Sequence, residues 1–319
     1  MKYKILLISI FGFLSVSAQF DPAGGEAGSK AVYFQSNLIQ SWAQNVRIER
    51  GWMNKADTSL GLVSFGSEGD AAGMADGKFV SLGDGGYAEI KLAEPLQNRK
   101  GYEFAVFENG FKYSGGYYLE LATVSVSTDG IHFTNFPAVS LSDTVDQVDN
   151  GGVLSPVKLD QLAGKHPANW GTPFDLDDLP DAEFLKRDSI LYIRITDVTG
   201  SLNADYGTRD SKGSLINDPW PTPFPSGGFD LDAIAFLKEG YTHISSLHHS
   251  LRLPNPMRPS QPIRLPVDGF VKATWMDVAG RSSESSIHDD LLSAPNIPGI
   301  YTLVLETATT PYIQRICVY

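Results

Sequence analysis

The sequence predicts an all-β protein: a jelly-roll or β-sandwich main domain followed by a small C-terminal β-sandwich. Three observations carry this. Short runs alternate apolar and polar residues with the period of a strand. Clusters of Pro, Gly and Ser separate the runs. Helical spacing is scarce: "SNLIQSWAQNV" is a candidate, with Leu38, Ile39, Trp42 and Val46 at i, i+1, i+4 and i+8. At 319 residues the chain is long enough for one large domain and a small one.

The elements follow in order. Residues 1–18 read as a signal peptide: two lysines, a short apolar run, then Val16-Ser17-Ala18 before a cleavage point at Gln19. The run is short for a membrane span, and no cysteine follows the cleavage point to carry a lipid. The main domain covers residues 19–240. The helical segment comes first, with Ser36 or Asn37 as its cap. "YAEIKLA" alternates, with Ala88, Ile90 and Leu92 opposite Tyr87, Glu89 and Lys91. The glycines of "SLGDGGYAEI" predict a hairpin turn, since no helix or Lys-Ser/Thr follows to make a phosphate loop. "ATVSVS" alternates and leads through an Asp-Gly turn, Thr128 to Gly130, into "IHFTNF". "ILYIRITDV" and "FDLDAIAFL" are the last strands of the domain. Two long irregular stretches, about 140–188 and 200–228, interrupt the pattern and mark loops that carry function.

Three strand faces end in a carboxylate. Phe104, Val106 and Glu108 share one face, as do Leu191, Ile193, Ile195 and Asp197, and also Asp232, Ile234 and Phe236. If the third strand runs antiparallel to the other two, the carboxylates meet at one rim. Buried carboxylates repel one another unless a cation sits among them. The oxygens are hard ligands and no His/Cys set accompanies them, so calcium is the matching ion. Asp218, in "INDPWP", closes the site from a loop. The alternative is that these carboxylates accept hydrogen bonds from loop N–H groups or pair with Arg194 or Arg209.

A formal net charge of −12 argues against nucleic acid or an anionic membrane as partner. The single cysteine, Cys317, forbids an intramolecular disulfide. No nucleophile elbow and no helical histidine pair is present, so no catalytic residue is assigned and the chain reads as a non-enzymatic binder. Tyr113, Tyr117, Tyr118, Trp170 and Trp220 are the candidate ligand platforms, because aromatic rings beside polar groups suit sugars and other flat-faced ligands. Each ring has an alternative role in pinning a loop.

Residues 241–319 differ in kind. Pro254-Asn255-Pro256, Asp277 with Gly280-Arg281, Gly299-Ile300-Tyr301 and Arg315 before the last strand resemble the C-terminal sorting domain of the type IX secretion system of Bacteroidetes. Pro259 and Pro262 stand where that family often has a glycine. The resemblance implies recognition by the secretion machinery and removal during export across the outer membrane. The body, through "DPAGGEAGSKAV", "DGKFVSLGDGG", "FAVFENGF", "ELATVSVSTDG", "LAGKHPANWGTPFDL", "RITDVTGS" and "INDPWPTPFPSGGFDLDAI", resembles exported Bacteroidetes-type cell-surface proteins with a galactose-binding-like jelly roll. That resemblance implies a cell-surface or extracellular protein, a corrinoid or carbohydrate ligand, and an outer-membrane uptake receptor as partner. A secreted glycan-active hydrolase and a structural surface protein without a small ligand are the alternative readings.

Overall fold

The structure is a computed structural model and describes residues 20–238, 253, 255–265, 270–277, 281–285, 287, 291–307 and 312–319. The signal peptide, the junction at 240/241, Pro254, Gly280 and the side chain of Arg315 lie outside the described residues. In chain order the main domain has strands Val32–Tyr33 (β1), Ile39–Trp42 (β2), Arg47–Glu49 (β3), Val80–Ser81 (β4), Tyr87–Leu96 (β5), Phe104–Glu108 (β6), Phe111–Tyr113 (β7) and Gly116–Tyr118 (β8). It continues with Ala122–Ser127 (β9), Thr134–Asn135 (β10), Val139–Ser140 (β11), Leu159–Asp160 (β12), Trp170–Phe174 (β13), Ile190–Asp197 (β14) and Asp230–Leu237 (β15). The fold is all-β, as the alternation predicts, and the only helical pieces described are short 3-10 turns.

Two antiparallel sheets form a sandwich. One has the order β1-β13-β6-β15-β2 with β4 also on β15, the other the order β10-β9-β14-β5-β3. Their facing side chains make one core: Phe104, Val106 and Ile234 from the first sheet meet Ile90, Val124, Val126, Ile193 and Ile195 from the second. The outer face of the first sheet is covered as well. Ala105, Phe107, Ala233 and Ala235 lie under Val32, Phe34, Leu38 and Trp42. Both faces of β6 and β15 are therefore buried, which is why "FAVFE" and "DLDAIAFL" read as near-continuous apolar runs.

Four expectations are corrected. "SNLIQSWAQNV" is not a helix: Ser36 makes a turn, its hydroxyl accepting from the Leu38 amide, and Ile39–Trp42 then pairs with β15. Its helical spacing arises because Leu38, Ile39 and Trp42 cover the outer face of the sheet while Val46 enters the inner core. The glycines at 83–86 do not close a hairpin, because β4 pairs with β15 and β5 with β3 and β14. They turn the chain from one sheet into the other, with Gly83 and Gly85 at positive φ. The hairpin after β9 is longer than an Asp-Gly turn: pairing resumes only at Thr134, and Asp129 caps the amides of Ile131 and His132 on the way. The first long loop contains two strands, the short β12 paired with β11, and β13, hidden in the sequence by Gly171 and Pro173. Gly171 is required there, since a Cβ would stand 2.6 Å from the Phe107 ring.

The C-terminal segment is a separate set of antiparallel strands: Pro262–Arg264 (β16), Phe270–Asp277 (β17), Ser282–Ser285 (β18), Leu291–Ser293 (β19), Gly299–Thr307 (β20) and Tyr312–Val318 (β21). β16 pairs with β19, and β18-β17-β20-β21 form a sheet. It has its own core around Trp275, Leu303, Leu305 and Ile316. Two of the motifs noted in the sequence tie its strands together. Asn255 Oδ1 accepts from the Cys317 amide, and Arg281 Nε donates to Asp277 Oδ2 at 2.7 Å.

Candidate functional site: a buried carboxylate rim

One rim of the sandwich gathers six carboxylates. β6 ends at Glu108, which is 1% exposed, and β15 begins at Asp230, with Leu231 opposite Glu108 in the register. β14 ends at Asp197 in the other sheet, opposite Ala122 of β9. Glu120 enters β9 two residues before Ala122, the glycine corner supplies Asp84, and the second long loop supplies Asp218. All six are buried.

Backbone amides hold most of these oxygens. Asp197 Oδ1 accepts from the Phe229 amide at 2.7 Å and Oδ2 from the Gly85 amide at 3.2 Å. Asp84 Oδ2 accepts from the Lys55 amide and from Trp220 Nε1. Asp230 accepts from the Ser81 hydroxyl and from Asn109 Nδ2. Asp218 Oδ2 accepts from the Leu121 amide at 3.1 Å, and Glu108 Oε2 from the Gly110 amide at 2.8 Å. Tyr118 Oη donates to Glu120 at 3.4 Å. Among the described residues, two fully buried oxygens of the rim have no hydrogen-bond partner: Glu108 Oε1 and Asp218 Oδ1.

Repulsion and burial dominate the electrostatics, and Lys55 relieves them at Asp84, which burial raises. Among the described residues, no ion pair reaches any of the six. Burial pushes Glu108 well above the usual carboxylate range, and the charges of Asp230 and Asp218 push further. Burial also raises Glu120, with Asp230, Glu108, Asp218 and Asp197 adding to it. Asp197 is raised by burial and then by Asp84, and Asp218 by burial and then by Asp197 and Asp84. Asp230 is pushed up to about 7 by burial, against the bonds from Ser81 and Asn109. A cluster of this kind must take up protons or a cation, because like charges in a poorly solvated place cannot all persist. Its donors are all hard oxygens, the set that suits calcium. Among the described residues, however, no three Asp, Glu, His or Cys side chains stand as a ready-made ligand set. The chemistry of the rim fits a cation, and a full coordination shell would require side chains to turn from their amides or carbonyls and water to join.

Of the residues singled out from sequence, Glu108, Asp197 and Asp218 are brought together at this rim, and Asp232 is not. The pairing register shifts between Leu231 and Ala233, so the period of two fails at Asp232. Its carboxylate instead accepts from the amides of Asp76 and Gly77, both at 3.2 Å. The pairings with Arg194 and Arg209 are also absent from the rim: Arg194 bonds Glu89, and Arg209 bonds the Gly213 carbonyl. Sequence reasoning missed Asp84, Glu120 and Asp230. Glu120 carries the same signal as Glu108, a carboxylate ending the face of Ala122, Val124 and Val126. Asp84 sits in a glycine turn and carries no such signal.

The aromatic candidates divide. Trp170 pins the N-terminal loop: it lies on Gly24, where a Cβ would stand 2.3 Å from its side chain, and against Tyr33 at 4.9 Å between ring centroids. Trp220 pins Asp84 through its indole N–H, and its own amide donates to the Val148 carbonyl. Tyr118 stacks on Phe111. Tyr117 donates to Glu26 at 2.7 Å, and Tyr113 is exposed beside Phe111. No protein-family profile matches the chain, and no curated protein is similar to it. No helix among the described residues is long and apolar enough to cross a membrane.

Proposed function

We propose that the chain is an exported, non-enzymatic ligand-binding protein whose β-sandwich carries calcium at the carboxylate rim. The observation that carries this reading is the pair of buried, partnerless oxygens, Glu108 Oε1 and Asp218 Oδ1, in a cluster that no ion pair reaches among the described residues. Leaving such atoms unbonded is costly, and a cation removes that cost. Glu108 and Asp218 would hold the ion, with Glu120 and Asp230 beside them. The ion would supply the missing positive charge. The chain's own residues do the rest: Asp197 ties the glycine corner to Phe229, Asp218 ties the second loop to Leu121, and Glu108 anchors the turn at Gly110.

A binder is favoured over a hydrolase because the rim carboxylates are engaged with amides and hydroxyls. The two surface grooves of about 480 and 430 Å³ among the described residues are not lined by Glu108, Glu120, Asp197 or Asp230. The signal-peptide pattern and the resemblance of the C-terminal segment support export through the type IX machinery to the cell surface or beyond. The resemblance of the body supports nutrient capture, of a corrinoid or a glycan, beside an outer-membrane receptor. Chelation tests the cation. A ligand at a hundredfold excess over its Kd stabilises by about 2.7 kcal/mol, so chelator should lower Tm clearly and calcium restore it. Incubation with a glycan panel should release no product, and a product would point to the hydrolase. Mass spectrometry of the extracellular protein should show a C-terminus short of Tyr319.

A further inference from the structure

A groove of about 430 Å³ lies beside the β7–β8 hairpin. Its lining includes Glu26, Tyr117, Asp143, Asp146, Val153 and Lys158. The walls are fixed. Tyr117 and Leu154 exchange backbone hydrogen bonds, and Tyr117 Oη bonds Glu26. Asn217, which is 1% exposed, donates to the carbonyls of Asp143 and Asp146 and accepts from the Val148 amide and Gln147.

The lining mixes signs and surfaces. Three carboxylates stand with one ammonium, beside the Tyr117 ring and the part-exposed Val153 side chain. An anion would meet the carboxylates, and an apolar ligand would strand all four charged groups. A sugar ring presents hydroxyls that both donate and accept, together with an apolar C–H face, and it matches this mixture. The groove is also tied to the rim. The hairpin is held at its start by Glu108, through the Gly110 amide, and at its end by Glu120, through Tyr118 Oη. Asn217 immediately precedes Asp218.

We propose that this groove binds a neutral saccharide unit, and that the rim cation strengthens the binding by fixing the hairpin and the Asn217–Asp218 segment. The second half rests on the calcium reading above. The test is calorimetric titration of the protein with neutral oligosaccharides of hexose, pentose and deoxyhexose units, to roughly 10 mM, where millimolar affinity is still visible. Titrations run with calcium and with chelator, and calcium binding is measured separately without sugar. At least one sugar should bind. Asp146→Ala and Val153→Trp, both at solvent-exposed positions, should weaken it about tenfold or more with Tm little changed, and chelation should weaken it as well while lowering Tm. No binding by any sugar, binding indifferent to both variants, or preferential binding of spermidine overturns the groove assignment. Equal sugar affinity with and without chelator, in protein that does bind calcium, overturns the coupling. Absence of calcium binding refutes the rim reading and the coupling, and leaves the groove to be decided by the two variants.

Discussion

Removing the cation at two pH values separates a rim that holds calcium from one that holds only protons. Asp230 is raised from 3.8 to about 7, chiefly by burial. The gap corresponds to roughly 4 kcal/mol once the group is ionised in the folded state. The folded pKa lies above the unfolded one, so the folded state binds the extra proton between these values. Stability therefore falls as pH rises through that window and is lowest above it. Glu103 and Asp232, raised by burial to about 7 and about 6, act in the same direction. Chelated protein should melt higher at about pH 5.5 than at about pH 8. Calcium should raise Tm most at the higher pH, where the carboxylates are free of protons, and little at the lower. Asp230→Asn keeps the shape and cannot ionise, and its amide can still donate to the Ser81 hydroxyl. The chelated variant should be more stable than chelated parent at about pH 8 and should lose part of the pH slope, the other raised carboxylates keeping the rest. The assay is thermal unfolding followed by circular dichroism. A chelated parent that melts no higher at the lower pH would refute the reasoning.

Other positions offer independent checks. Lys165 and Asp21 form a buried pair at 2.7 Å, so Asp21→Ala should cost about 3–5 kcal/mol in denaturant unfolding by stranding the ammonium. Asp21 is held below its usual range, despite its burial, by Lys165 and His166, so its contribution is present above about pH 4 and disappears on further acidification. Glu103 accepts amides from both Arg99 and Leu176, and Glu103→Gln should cost roughly 1–3 kcal/mol, because the carboxamide NH₂ cannot accept one of them. Trp170→Ala should destabilise by about 3 kcal/mol and leave ligand affinity unchanged, since the ring packs on Gly24 and Tyr33.

Alternation was the legible part of the sequence. β5, β9 and β14 follow it because each has one face on the core, and their inward residues are the ones the period of two selects. β6 and β15 are buried on both faces, so alternation says less there, and the register shift at Asp232 moved one carboxylate out of the set that spacing had chosen. β13 was invisible because a strand of Trp-Gly-Thr-Pro-Phe has no alternation and carries two residues typical of loops. The helical reading of residues 36–46 failed because tertiary packing sends neighbouring residues to opposite faces of one sheet. The rim itself was half legible. A charge ending an apolar face found Glu108 and Asp197 and would have found Glu120. Asp84 is placed by a corner whose course only the assembled sheets define.

The most direct measurement is a calorimetric titration of calcium into chelator-stripped protein, for the parent, Glu108→Gln and Asp232→Asn. The account predicts saturable binding to the parent, loss of about tenfold or more in affinity for Glu108→Gln, and parent-like binding for Asp232→Asn, whose carboxylate serves the Asp76 and Gly77 amides. No calcium binding to the parent, or a loss confined to Asp232→Asn, would contradict it.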